Sequence, residues 1–539
     1  MADKNYKNII SIPALPVPKM KGLGEMLFEQ MPKYQQKIAH TDPKTGRTET
    51  YESMFQKTVR TSLAMISKGI KPNDVIAICS NATMDNFIPF YASFFIGAIS
   101  ANISAKLPPS DIKDLLTVVC PKMIFTTSEV ANIVEDIVEK LKIDTKIVIF
   151  DETSKHLQFS EFLLPHLEEN KFVPYKVTNL KDTAVIVFSS GSTGLPKAVC
   201  INHFGLTSQM HQAKFRSLLH SSTLLSHTQL SWVTGVVNSI DGILHGINHV
   251  ICTNSKPLEI WHAIKAYQVT SLFLSTFHLL EMCKNGRPEG VDTSTLHFIL
   301  YGGSSTTKEQ HMHIKKCFPG TITFNALGQT EASGCVLTFD PTSEKDLELN
   351  RKNPNSVGRP VSAYSYKIVD LDTEKILGPN QEGELRVKSD FMMNGYYKAD
   401  ASNLWDTEGF LKMGDIAYYD EDECFFIVDR IKELLKYQTL HISPTKIELL
   451  LLKHPAVHSC SVIGIPHEID GDHLMGIVVV KDSAVGTITG KELQQYIDDQ
   501  VEDYQKLRAG VKFIKKLPLT VTNKVSRRET RRYVLEGKI

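Results

Sequence analysis

Short β-branched runs separated by helical segments constrain this chain more than any other feature. Val75–Cys79 (VIAIC), Met123–Thr126 (MIFT), Lys146–Phe150 (KIVIF) and Ala184–Phe188 (AVIVF) are each bounded by polar or turn residues. Runs of this kind form strands buried on both faces. Between the second and third lies VANIVEDIVEKL, whose Val, Ile and Leu positions recur at helical spacing. Strand, helix, strand in that order predicts an α/β layered fold with largely parallel sheets. The order repeats from Leu272–Leu274, through a helix at Thr276–Cys283, to Leu296–Leu300 and the pair Gly302-Gly303.

The texture then changes twice. From Ser365 the stretches SYKIVDLDTEKILGP and GELRVKS read as short alternating strands around turns, a small β subdomain. After Asp429-Arg430, Ser443-Pro444 opens a helix (TKIELLLLKH) with Pro at the first helical position, where its missing N–H costs nothing. Strands at Ser461–Gly464, Gly476–Val480 and Val511–Ile514 and a helix at Gly490–Asp499 complete a compact, mobile α+β C-terminal domain. The expected organisation is a large multi-layer domain over residues 1–429, a hinge at 430–433 and a small domain over 434–539. At 539 residues the chain is long enough for such lobes to have separate cores.

Charge and cysteine usage exclude several classes. Sixty Lys and Arg balance sixty Asp and Glu, which argues against a dedicated nucleic-acid binder. The nine cysteines contain no CxxC pair, a pattern of buried thiols in a reducing compartment rather than disulfides or a zinc site. No segment has the apolar core of a signal peptide or the roughly 20 apolar residues of a membrane span. A soluble intracellular protein is expected.

The most specific string is Ser189-Ser190-Gly191-Ser192-Thr193-Gly194-Leu195-Pro196-Lys197, directly after AVIVF. Two glycines let backbone N–H groups approach a ligand closely, four hydroxyls add donors, and Lys197 adds fixed charge. That inventory suits a polyphosphate. It is not the GxxxxGK[ST] loop, because no Lys-Ser/Thr pair follows the second glycine at the required offset.

This string resembles the signature of the adenylate-forming superfamily, which includes acyl-CoA synthetases, 4-coumarate–CoA ligases, beetle luciferases and peptide-synthetase adenylation domains. The resemblance runs from about Tyr51 to Arg531 and is closest to the insect branch. Gly414–Asp422 (GDIAYYDED), Phe425–Arg430 (FFIVDR) and Leu435-Lys436-Tyr437 are the most firefly-like stretches.

The resemblance implies ATP, Mg²⁺ and coenzyme A, with a small carboxylic acid as substrate. It places Ser189, Ser190, Gly191, Ser192, Thr193, Gly194 and Lys197 around phosphate. Thr330 would contact phosphate and Glu331 would hold the metal, a hard oxygen for a hard cation. Leu327, Gly328, Gln329, Gly303 and Ser304 would border the nucleotide, and Gly302 the junction with the acid pocket. Asp415 would accept from the ribose hydroxyls, and Arg430 would meet the nucleotide. Lys524 would contact the acid carboxylate and the α-phosphate, and Lys436 would serve thioester formation after the small domain rotates. Without the resemblance, Thr330-Glu331-Ala332-Ser333 reads as a helix start, Asp415 as a turn cap and Lys524 as a solvated lysine.

The chain departs from the family at several positions. Leu327 stands where an aromatic usually packs on adenine, Asn523 where glycine precedes the lysine, and Thr439 in the glycine position after Lys436-Tyr437. The segment Leu230–Gly235 (LSWVTG) lacks the luciferase histidine. Ser231, Trp232, Val233 and Gly235 would instead make a bulky apolar acid pocket, the plain alternative for Trp232 being core packing. His203 is given no chemical role. The C-terminal Gly537-Lys538-Ile539 loosely resembles the peroxisomal Ser-Lys-Leu address, so a peroxisomal import receptor is a candidate partner, with the cytoplasm as the alternative location. The expected activity is an AMP-forming acid–CoA ligase. The alternatives are an insect luciferase and an adenylating enzyme that has lost CoA transfer.

Overall fold

The computed structural model describes residues 8–17, 19–80, 83–152, 155–189, 196–212, 222–227, 229–252, 256–438, 440–520 and 525–539. Contacts divide the chain into two compact units. One comprises Ile10–Tyr366 with Val387–Leu411, the other Lys367–Arg386 with Lys412–Ile539 and the residues before Ile10 that are described.

The larger unit is built on two sheets. The first has seven strands in the spatial order Lys197–Asn202, Thr183–Ser189, Ile99–Ser104, Val75–Ser80, Met123–Thr126, Lys146–Ile149 and Leu157–Gln158. All its pairings are parallel except the first. The second has nine strands and a parallel centre: Ile322–Gln329, Phe298–Gly302, Ser271–Ser275, Thr223–Ser226, Asn248–Ile251 and Ile38–Thr41. Antiparallel strands close both of its edges. The four runs read from the sequence as buried strands are all present.

Side-chain alternation in those strands builds the layers. Ile76, Ile78, Met123, Phe125 and Val148 face one core, while Ala77, Cys79, Ile124, Ile147 and Ile149 face another. Period-two alternation puts successive residues on opposite faces of a sheet, so a strand covered on both sides must be apolar throughout. The shared central core holds the helix Phe87–Phe95, all nine residues of which are buried. The outer face of the seven-stranded sheet is covered by Pro109–Val119 and Ser128–Leu141. The far side of the nine-stranded sheet is covered by Pro257–Ala266, Thr276–Cys283 and Lys308–Cys317. Two buried hydroxyls lock the central layer: Tyr51 donates to the Gly242 and Ile247 carbonyls (2.6 and 2.8 Å), and Tyr91 to Ser239 O (3.3 Å).

A further sheet, most of whose residues belong to the smaller unit, orders Ser365–Val369, Gly383–Lys388, Leu411–Tyr419 and Phe425–Arg430. A five-stranded sheet carries Leu440–Ile442, Leu435–Tyr437, Gly471–Val480 and Val457–His467, with Val511–Phe513 added parallel to Gly471–Val480. The strands expected at Ser461 and Gly476 are longer than their apolar cores, because they form one continuous hairpin. Helix Pro444–Lys453 starts as the sequence predicts: Pro444 is in its first turn, and the Ser443 hydroxyl accepts from Lys446 N at 3.2 Å. All nine cysteines are free, seven of them buried. Among the described residues no helix is long and apolar enough to cross a membrane.

Candidate active site

The hydroxyl-rich string joins two antiparallel neighbours, for Ser189 at the end of one strand pairs with Lys197 at the start of the next. Its middle residues Ser190, Gly191, Ser192, Thr193 and Gly194 lie outside the described residues, as do Thr439, Asn523 and Lys524.

Glu331 arrives from a second strand end. Ile322–Gln329 runs parallel to Phe298–Gly302 and then antiparallel to Gly334–Thr338. Thr330–Ser333 form the turn between, closed by Ala332 N to Gln329 O (3.2 Å) and Ser333 N to Thr330 O (3.0 Å). The helix start read from these four residues is therefore corrected to a hairpin turn. Pairing of Gly334–Thr338 claims the backbone that a helix would have used, and Ser333 takes a left-handed φ of 61°.

The turn buries Glu331, which is 7% exposed. Its Oε1 accepts from Ser189 Oγ at 3.0 Å and from Tyr396 Oη at 3.3 Å. Burial and the adjacent Glu331 carboxylate push the Tyr396 phenol well above its ordinary range, so it stays a donor. Lys197 Nζ lies 4.8 Å from the centre of the Tyr396 ring, a cation–π distance. A buried carboxylate must be met by donors or cations. The hydrogen bonds shown here come from two hydroxyls, leaving a hard oxygen anion suited to Mg²⁺. These residues fit the ion that the family resemblance implies.

The glycine pair and the Leu327 segment end adjacent strands at the same side of the sheet, since Gly302 pairs with Ala326. A Cβ on Gly302 would lie 2.5 Å from the Ala326 carbonyl oxygen, so only glycine permits this register. The Thr276 hydroxyl holds the turn that follows, 3.2 Å from Gly302 O and 3.1 Å from Ser304 O. Gly303, Ser304 and Gly328 are exposed, while Leu327, Gln329 and Thr330 are half-buried. Carboxyl ends of parallel strands are where ligands bind in open α/β sheets.

Ser231, Trp232, Val233 and Gly235 lie at the start of helix Val233–His245. Gly235 is required there, because a Cβ would approach Gln229 O to 1.9 Å. Val233 packs on the central core, and Ser231 lines a cavity with Ile78, Asn102 and Leu230. The half-buried Trp232 ring meets His227 edge-on at 5.9 Å, and His227 lies 3.9 Å from His278. Ser275 Oγ is 2.8 Å from His278 Nδ1. Burial lowers both imidazoles, His227 to about 3 with help from His278, and His278 to about 4, so both are neutral at physiological pH. Sequence reasoning missed these two histidines and Tyr396. The His227–His278 and Tyr396–Glu331 contacts each span a long stretch of chain, and no spacing motif signals them.

In the smaller unit, Asp415 and Arg430 are direct cross-strand partners, with Arg430 Nε 3.0 Å from Asp415 Oδ1. Asp415 is buried and Arg430 partly exposed. Asp429 is buried next to them and accepts from the Ser443 hydroxyl, Thr445 N (3.0 Å) and Arg430 N (2.7 Å). The residue just before the expected hinge is thus bonded to the N-terminus of helix Pro444–Lys453. Lys436 is exposed on Leu435–Tyr437. His203 is structural: its Nδ1 accepts from Leu23 N at 3.2 Å, and burial lowers it to about 4.

Comparison with known proteins agrees with this architecture. Residues 27–397 match the model of the AMP-binding enzyme family, and 446–524 that of the AMP-binding enzyme C-terminal domain. The luciferin 4-monooxygenase of Photinus pyralis is 31% identical, covering 99% of this chain and 98% of its own. The peroxisomal OPC-8:0-CoA ligase 1 of Arabidopsis thaliana is 27% identical, covering 96% and 94%. Among solved structures, the luciferase-like enzyme from the nonluminescent mealworm Zophobas morio superposes with a TM-score of 0.74. It is 35% identical and covers 79% of this chain and 99% of its own.

Proposed function

The chain belongs to the AMP-binding enzyme family, and from that premise we propose that it adenylates a hydrophobic carboxylic acid with ATP and transfers the acyl group to coenzyme A. The observation that carries the reading is Glu331, buried and held by Ser189 and Tyr396 at the root of the hydroxyl-rich string.

In the first half-reaction a carboxylate oxygen of the acid attacks the α-phosphorus of ATP and pyrophosphate leaves. Lys197 and Thr330 bind phosphate, and Lys524 stabilises charge on the reacting carboxylate and α-phosphate. Glu331 would hold Mg²⁺, which when bound neutralises phosphate charge. Asp415 orients the ribose, and Leu327 gives the adenine an apolar face. In the second half-reaction the CoA thiol attacks the acyl carbonyl and AMP leaves. Lys436 serves this step, and a change in orientation of the C-terminal domain exchanges the two lysines. The half-buried Trp232 and the neutral His227–His278 pair support a bulky, largely apolar acid.

One observation favours a second reading, oxidation of an adenylate by O₂ with light: the firefly monooxygenase matches over nearly the whole chain. Both readings are tested by incubating the protein with MgATP and a panel of aliphatic, aromatic and luciferin-like acids, with and without CoA. Mass spectrometry follows AMP, acyl-adenylate and acyl-CoA, and a photon counter watches the same vessel. Thioester formed in the dark is expected. Adenylate accumulating without thioester would sink the transfer step, and light would establish the oxygenase.

A further inference from the structure

The hairpin Val457–His467/Gly471–Val480 carries at its tip a group of side chains that the proposed reaction does not use. His467 pairs with Gly471 across the strands, and His473 lies two residues further along. The two imidazoles are therefore diagonal neighbours on one face, and their rings stack at 3.9 Å with only 13° between planes. Asp470, in the connecting turn, reaches under both. Its Oδ2 is 2.9 Å from His473 Nε2 and 3.4 Å from His467 Nδ1.

Among the described residues this is the one His/Cys/Asp/Glu group whose ligand atoms all lie within 4.8 Å of one another. Donor atoms of a tetrahedral ion with bonds of about 2.0–2.1 Å are roughly 3.3 Å apart. The two histidine–aspartate separations bracket that value. Occupancy requires the two rings to turn out of their stack and the present hydrogen bonds to break: Asp470 N donates to His467 Nδ1 at 3.2 Å, and His473 Nε2 bonds to Asp470. We propose that His467, Asp470 and His473 form a site for a first-row divalent metal ion of the imidazole-binding kind, such as Zn²⁺ or Co²⁺, with the remaining coordination open to solvent. The His467 side chain is 41% exposed, which gives an ion entry. Two imidazoles and one carboxylate favour such an ion over Mg²⁺, which takes oxygen ligands.

The site is wired to a functional strand. Gln438 donates to Asp470 through its backbone N (2.6 Å) and its side chain (3.0 Å), and the Tyr437 and His473 rings stack at 6.1 Å. An ion at the hairpin tip would fasten the turn to Leu435–Tyr437, the strand that carries Lys436.

The test is a Co²⁺ titration of the full-length, nucleotide-free protein in excess Mg²⁺, followed by visible absorption. One Co²⁺ per chain is expected, with d–d bands and no thiolate charge-transfer band. His467→Gln and His473→Gln should each weaken binding at least about 10-fold, whereas Cys120→Ser should not change it. An absence of binding, a thiolate band, or identical isotherms in the histidine variants overturns the proposal. Diethyl pyrocarbonate labelling of the unsubstituted protein gives an answer that does not depend on variant folding. Zn²⁺ should protect His467 and His473, and equal labelling with and without Zn²⁺ contradicts the site.

Discussion

Two carboxylates, Glu331 in the larger unit and Asp415 in the smaller, are both buried and both assigned to the nucleotide, yet they are held differently. Glu331 accepts from two hydroxyls, Ser189 and Tyr396, at a turn between strands of different pairing. Asp415 faces a guanidinium, Arg430, fixed opposite it by strand register. A hydroxyl satisfies a lone pair without cancelling charge, whereas an arginine at ion-pair distance offsets the charge. The first arrangement keeps a negative centre available to an incoming cation. The second holds an acceptor in a set orientation, which is what recognition of two neighbouring hydroxyls needs.

Glu331→Gln is the sharpest way to break this comparison, because it keeps the shape and removes the charge. Acid-dependent AMP formation should fall about 10²–10³-fold in kcat, the scale of losing one preorganised electrostatic contact. A loss of less than about threefold would mean that the charge is idle. Asp415→Asn should act on binding instead, raising the KM for ATP about 10-fold or more through weakened charged hydrogen bonds, with a smaller change in kcat.

The core of the larger unit sets the third test. His203, His249 and His311 are buried and each lowered to about 4 by burial, below the ordinary value of 6.5. Between pH 6.5 and 4 the unfolded chain takes up protons at these positions and the folded chain does not. Stability is therefore full above pH 6.5 and is lost as pH falls, by up to about 1.4 kcal/mol per histidine for each pH unit in that window. The melting temperature should drop accordingly, and His203→Asn should make the drop shallower. A melting temperature constant from pH 6.5 to 5 contradicts this. The mildest substitution is Tyr396→Phe, which removes one of the two hydroxyls on Glu331. About 1 kcal/mol, or roughly fivefold in the rate of adenylation, is expected. A loss as large as that of Glu331→Gln would show that the phenol does more than position the carboxylate.

Much of the layered fold was legible because strands covered on both faces must be apolar throughout, and Val75–Ser80, Met123–Thr126 and Lys146–Ile149 announce themselves that way. Lys197–Asn202 was not read as a strand, although it pairs antiparallel with Thr183–Ser189. Local preference misled at Thr330–Ser333, where a capping-like order of residues sits in a turn dictated by long-range pairing. The candidate site was legible as residue types in a specific string, but not as contacts. Tyr396 reaches Glu331 across 65 positions, and the meeting of Trp232 and His227 with His278 joins two segments distant in sequence. Register likewise decides that Asp415 and Arg430 face each other, and a one-residue slip would turn one of them to the other side of the sheet.

The most direct test of the account is the Mg²⁺ dependence of acid-driven pyrophosphate–ATP exchange in the native protein and in Glu331→Gln. If the Glu331 carboxylate holds the ion that accompanies ATP, the native enzyme saturates with Mg²⁺ and the variant needs at least about 10-fold more to reach a much lower rate. Superimposable Mg²⁺ curves for the two proteins would contradict the assignment of Glu331 and, with it, the site built around it.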